Sequence, residues 1–231
     1  MDQKAIDQAI HATRQWSIYR PLAERGISPA EIKNMITSVL DPYFSNKDVL
    51  EKYAVSTLGS EAFRVTRIKQ DPWAALAFDH VSHIYRNANL ANATACYQAC
   101  AASEPHVMGA VCEFRSLFHL EIDKAGLSLQ EFTHEAFRNI GTLVEAYLLP
   151  HLRDLLVQVR LARDKPTTYA QTEGLTLGNV IDELHSGLGM PELVSPPPWG
   201  IRLNHWRNIA QHYRSRIRND MIYSYYGRPP N

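Results

Sequence analysis

Hydrophobic residues in this chain recur every three to four positions in almost every patterned segment, and a period of about 3.6 residues is buried by packing helix against helix. Ile6, Ala9, Ile10 and Trp16 share one side of a first segment over residues 2–16. Ser28-Pro29-Ala30-Glu31 then reads as a helix start. The serine hydroxyl accepts from an orphan amide, proline loses nothing at the first position, and glutamate reaches back to the cap. A helix is predicted from there to about Leu40, stopped at Asp41-Pro42. Residues 46–69 read as helical with a break at Gly59, Asp71-Pro72 opens a long helical stretch to about Ser103, and another follows from Pro105 to about Lys124. Ser128 and Glu131 repeat the capping box in front of EFTHEAFRNIGTLVEAYLLPHLRDLLVQVRLARD, where Pro150 must kink or split the helix because it has no N–H. After a loop over residues 165–174, Leu177, Val180, Ile181 and Leu184 mark a short amphipathic helix ending at Gly187. MPELVSPPPWG, with four prolines and a glycine, is the clearest non-helical linker. A last helix over 201–219 follows it, and only IYSYYG at 222–227 looks extended. The expected fold class is all-α, a multi-helix bundle. A soft division separates an N-terminal helical region, 1–103, from a C-terminal helical domain, 104–231.

A chain of 231 residues with 45% hydrophobic content can bury a sizeable core. No run of about 18 apolar residues is present, and MDQKAIDQAIHATRQW is amphipathic and charged, so neither a membrane span nor a secretion signal is expected. Cys96, Cys100 and Cys112 are an odd set that reads as small thiols of a reducing compartment, which points to the cytoplasm. Cys96 and Cys100 lie on one helical face, but tetrahedral zinc takes about four N/S ligands and none are clearly supplied nearby. His80 with His83, and His134 with Arg138, have no carboxylate pair or third histidine at ligand spacing, so no metal is expected. With no GxSxG elbow and no Walker-type or Rossmann glycine loop, no cofactor is expected either.

Net charge is zero, yet it is unevenly placed. From residue 201 onward Arg202, Arg207, Arg214, Arg216, Arg218 and Arg228 stand against Asp220 alone. Such an element can meet a phosphate backbone locally while the mildly acidic remainder keeps the protein from binding nucleic acid indiscriminately. On the predicted last helix, Leu203, Trp206, Ala210, Tyr213 and Ile217 form an apolar seam. Asn204, Asn208, Gln211, His212 and Ser215 fall opposite, with Arg207 at the margin. Asn208 and His212 are one turn apart. Arg207 and His212 are about 140° apart around the axis and converge only through the length of the arginine. Arg-Asn begins at Arg86, Arg138, Arg207 and Arg218, and only Arg207 has a histidine five residues on.

The stretch WRNIAQH resembles the RNxxxH form of the Arg-x4–6-His motif of the HEPN superfamily, all-α proteins that include metal-independent ribonucleases of bacterial defence and toxin systems. The likeness extends over roughly residues 128–226, as long helix, short helix with LTLGNVIDEL, proline-containing loop and motif helix; the first hundred residues add nothing to it. It implies a HEPN-like C-terminal core with an N-terminal helical extension, and an endoribonuclease whose RNA substrate supplies the 2′-hydroxyl nucleophile. The products would be a 2′,3′-cyclic phosphate and a 5′-hydroxyl. By this resemblance His212 is general acid or base, Arg207 the phosphate clamp and Asn208 the positioning residue, with Arg202, Arg214, Arg216 and Arg218 tracking the RNA backbone. Histidine suits proton transfer because its unperturbed pKa lies near 6.5, and the guanidinium fork suits phosphate. One histidine cannot easily be both acid and base, so the resemblance also implies a homodimer with two facing motif helices. An antitoxin or other protein partner would fit the same setting. Two other readings stay open: a non-catalytic HEPN-like module that binds RNA or protein, and a helical scaffold whose polar stripe is merely wet.

Overall fold

The computed structural model describes residues 22, 24–55, 58–118, 126–212 and 214–226; the expected first helix with Ile6, Ala9, Ile10 and Trp16 lies outside them, as does Tyr213. The described chain is all-α apart from one small hairpin. It divides into two compact units, Met1–Asp79 and His80–Asn231.

In the first unit, Ser28 begins α1, Pro29–Leu40, through the expected capping box: its hydroxyl accepts from the Glu31 N–H, and the Glu31 carboxylate accepts from the Ser28 N–H at 2.7 Å. A 3₁₀ turn at Asp41–Tyr43 ends it. Asn46 caps α2, Lys47–Tyr53, and Gly59 is the first residue of α3, Gly59–Ile68. Ile32, Ile36, Leu40, Leu50, Ala54, Ala62 and Val65 form the core. The helix α4, Pro72–Ala91, contains the boundary between the units. Tyr43 donates to Asp79 at 2.6 Å and meets Phe78 edge-on.

In the second unit, Asn92 separates α4 from α5, Ala93–Phe118, by accepting from the Ala95 N–H at 3.0 Å. Sequence placed the break at 103–105, but α5 runs on through Pro105. The missing amide leaves the Ala101 carbonyl unpaired on an exposed stretch where water can reach it. The 103/104 division therefore falls inside one helix, and the compact units divide between Asp79 and His80.

Ser128 and Glu131 form the second capping box, at the start of α6, Leu129–Thr142. Ahead of Pro150 the turn widens. Leu143–Leu148 is π-helical, with the Leu149 N–H reaching back to the Val144 carbonyl, and α7 then runs Leu149–Leu161. A π turn takes up one extra residue, so the side chains before it shift by about 100° relative to those after it. α7 is the hub: Leu152, Leu155, Leu156, Val157, Val159 and Leu161 are all buried. It packs against α5, against α8, Tyr169–Glu173, which lies within the expected loop, and against α9, Leu177–Gly187. Val180, Ile181 and Leu184 of α9 are fully buried, as their spacing predicted, and each stabilises the core by about 1.5–3 kcal/mol. Arg160 of α7 grips Glu183 of α9 through Nε and Nη2 at 2.7 and 2.6 Å.

The proline-rich linker is pinned rather than loose. Val194 is fully buried, and the Leu203 N–H donates to its carbonyl at 3.0 Å. That bond sets the start of α10, Leu203–Gln211. The helix expected over 201–219 stops eight residues early. Beyond it Ser215–Arg218 and Met221–Ser224, β1 and β2, pair as an antiparallel hairpin around Asn219 and Asp220. Both turn residues have positive φ, 50° and 56°, which is the type I′ geometry that matches strand twist. Ile217 therefore does not extend the apolar seam: it is 39% exposed on β1. Leu203 and Ala210 are buried and Trp206 half-buried, while Ile209, left out of the seam, is the deepest residue of α10 at 1%.

His151 of α7 is half-buried beside Tyr147, and its Nε2 has no hydrogen-bond partner among the described residues. Burial lowers its pKa despite the nearby Asp154. The folded state thus resists a proton that the unfolded chain accepts, so stability falls as pH drops through about 6.5. His151→Phe should flatten this part of the acid slope between pH 7.5 and 5.5 in urea titrations. An unchanged slope would remove His151 from the cause.

Candidate functional site

The motif helix α10 lies on α6, on the π segment and on α9. Gly141 faces Ala210 across this contact, and a Cβ there would sit at an ordinary packing distance of 3.7 Å from the Ala210 Cβ. With Phe137, Ile140, Trp206 and Ile209 packed around this contact, the polar side of α10 is fixed in direction.

Arg207 is half-buried, and its Nε donates to Glu145 Oε1 at 2.6 Å. Its Nη1 donates to Asn208 Oδ1 at 3.1 Å, while Gln211 donates to the second Glu145 oxygen. Glu145 sits in the π segment, so Pro150, five positions on, belongs to the same local distortion. Sequence reasoning missed Glu145 because its partner lies 62 residues away. The structure brings Arg207 and Asn208 together. It places His212 at the C-cap of α10, exposed, with its N–H on the Asn208 carbonyl at 3.1 Å. The imidazole is therefore open to solvent rather than packed in its own core.

The expected backbone-tracking arginines separate into two groups. Arg202, which precedes α10, is paired with Asp182 of α9 at 2.7 Å. Arg214, Arg216 and Arg218 lie on or at the root of the hairpin, not on a helix. Arg216 and Arg218 have no carboxylate partner among the described residues. The second histidine of the motif helix, His205, stacks on Tyr226 with centroids 4.8 Å apart.

A second polar group, also missed, lies inside the unit. Asp154 and Gln158 are buried one turn apart on α7. Tyr85 of α4 donates to Asp154 Oδ2, and Cys96 of α5 donates to Gln158 Oε1 at 3.2 Å. Burial raises the Tyr85 phenol and the Cys96 thiol, and lifts Cys100 to about 12. Thiols held protonated in this way are poor nucleophiles, so the group joins three helices rather than doing nucleophilic chemistry. Asp-x3-Gln inside an otherwise apolar run was its sequence signal. Among the described residues no cluster of three metal-ligating side chains occurs, and no helix is long and apolar enough to cross a membrane.

No protein family, characterised protein or solved structure matches this chain.

The Glu145–Arg207 pair is testable apart from any activity. A double-mutant cycle with Glu145→Gln and Arg207→Gln should return a coupling of about 1 kcal/mol that weakens with added salt. Zero coupling at low salt would mean that the guanidinium is not held.

Proposed function

We propose that the protein is a metal-independent endoribonuclease of the HEPN type, acting as a homodimer, with a role in defence or in a toxin–antitoxin pair. The observation that carries the reading is the combination on one helix end: an exposed imidazole at His212, and an arginine held one and a half turns earlier by Glu145 and Asn208. Three further arginines, Arg214, Arg216 and Arg218, follow two, four and six residues past the histidine. In the proposed reaction one imidazole takes the proton of the 2′-hydroxyl as its oxygen attacks phosphorus. The O2′–P bond forms, the P–O5′ bond breaks, and a second imidazole protonates the departing 5′-oxygen. Two copies of His212 across a dimer axis supply the acid and the base. The Arg207 nitrogens not engaged by Glu145 face the phosphate as charge builds on it.

One observation favours a non-catalytic RNA- or protein-binding module of the same type. Glu145 already balances the Arg207 charge, which weakens a phosphate clamp unless substrate displaces the carboxylate. A single experiment separates the two readings. Mixed RNA is incubated with the protein in EDTA, alongside His212→Ala. The nuclease reading expects cleavage that falls by about 10²–10⁴ in the variant, with the unfolding midpoint unchanged because the side chain is exposed. RNA shifted but intact would select the binding module. Sedimentation should show a dimer under the cleavage conditions, and a strictly monomeric active enzyme would remove the two-histidine site.

A further inference from the structure

The hairpin β1–β2 presents two chemically different faces. Register pairs Arg216 with Tyr223 and Arg218 with Met221, while Ser215 pairs with Ser224 and Ile217 with Ile222. Side chains alternate along a strand and directly paired residues share a face. Arg216, Arg218, Tyr223 and Met221 therefore stand together on one side, and all four are exposed. The other side carries neutral side chains, and Ser215 and Ile217, with Arg216 at the rim, line a groove with Glu131, Glu135 and His134 of α6. The groove carboxylates disfavour a polyanion, which is drawn instead to the open side where Arg216 and Arg218 have no carboxylate partner among the described residues. Two arginines two residues apart on a strand are about 6.8 Å apart, on the scale of one nucleotide step in an extended backbone. Directly across from Arg216, at the end away from the turn, Tyr223 offers a flat ring 48% exposed.

We propose that this arginine–tyrosine face is the track for single-stranded RNA leading to His212, with Arg216 and Arg218 on successive phosphates and Tyr223 stacked on a base. The inference rests on the RNA-processing reading of α10 and deepens it by naming the substrate class. A base is free to stack on Tyr223 only when it is unpaired, and A-form duplex offers its bases in a deep, narrow groove that side chains cannot read. Among the described residues the hairpin is a sheet of two short strands with no third. It is thus an exposed arm, rooted on α10 by the Arg214 N–H on the Ile209 carbonyl at 3.1 Å and by Tyr226 stacked on His205. Substrate that lies along the arm is delivered to the C-cap of α10.

The test separates binding from cleavage by using 2′-O-methyl RNA, which lacks the nucleophile. Fluorescence anisotropy with a labelled 2′-O-methyl single strand and with its duplex is measured over a range of salt. The single strand should bind at least tenfold more tightly. Arg216→Ala and Arg218→Ala should each lower the slope of log K against log salt by about 0.7, and Tyr223→Ala should weaken binding about five- to a hundredfold. Equal affinity for duplex, or a slope unaltered in Arg216→Ala and Arg218→Ala, overturns the proposal. So does a complex lost in Ile217→Ser/Ile222→Ser but kept in the arginine variants, which would make the arm a protein interface. If the wild type binds as expected yet fails to cut unmodified RNA, the nuclease reading falls and the single-strand track stands.

Discussion

The missing amide hydrogen of Pro150 governs the geometry of the motif site. Without that donor the α-helical ladder cannot run straight through from α6 to α7, and the chain answers by one π turn over Leu143–Leu148. Such a turn rotates the side chains on its two sides relative to each other. Glu145, carried on the turn, reaches both Arg207 and Gln211 of α10. The same stretch buries Val144 and then eight of the thirteen side chains of α7. A local defect in hydrogen bonding thus serves packing on one side and charge placement on the other.

The interior of the second unit is mostly apolar, and its largest buried polar side chains are Asp154 and Gln158. Asp154 and Gln158 occupy positions that leucine could fill at lower desolvation cost. They are tolerated because Tyr85, Cys96 and one another satisfy their hydrogen bonds. Hydrogen bonds have direction, whereas apolar contacts do not. The group therefore fixes how α4 and α5 sit on α7 more narrowly than the surrounding alanines can. That rigidity reaches α10 through the α7–α9 ion pair and the buried Val194, which sets where the motif helix begins.

Charge follows the opposite rule and collects where packing is weakest. The chain before residue 201 is mildly acidic, and the arginine excess lies in the last thirty or so residues, where Arg214, Arg216 and Arg218 sit on or at the root of a two-stranded arm with little buried surface. Arg202 and Arg207 belong to the body and are each tied to a carboxylate. Arg216 and Arg218 are not, among the described residues. A polyanion would meet the untied pair first, at low reorganisation cost, and displacing Glu145 from Arg207 would be a later and more demanding event. Binding and any chemistry are accordingly assigned to different arginines.

Local chemistry was enough to read much of this protein from its residues. The capping boxes at Ser28 and Ser128, the stop at Asp41-Pro42, the buried stripe Leu177, Val180, Ile181 and Leu184, and the linker before α10 each depend on neighbours within about one turn of helix. The extent of α10 does not. Leu203, Trp206, Ala210 and Ile217 keep helical spacing, yet the segment after Gln211 also alternates Arg216, Ile217, Arg218 before the turn-forming Asn219-Asp220, and that second signal prevailed. Periodicity alone could not decide between them, because cross-strand pairing with Met221–Ser224 lies beyond the reach of a single-helix pattern. Glu145 was invisible for the same reason: nothing within a turn of it indicates an arginine 62 residues away. The sequence by itself determined where helices begin and which faces they bury, since those are short-range contests for backbone hydrogen bonds and water. Only the tertiary structure decided where the last helix ends and which carboxylate holds its arginine, since both depend on groups that folding alone brings together.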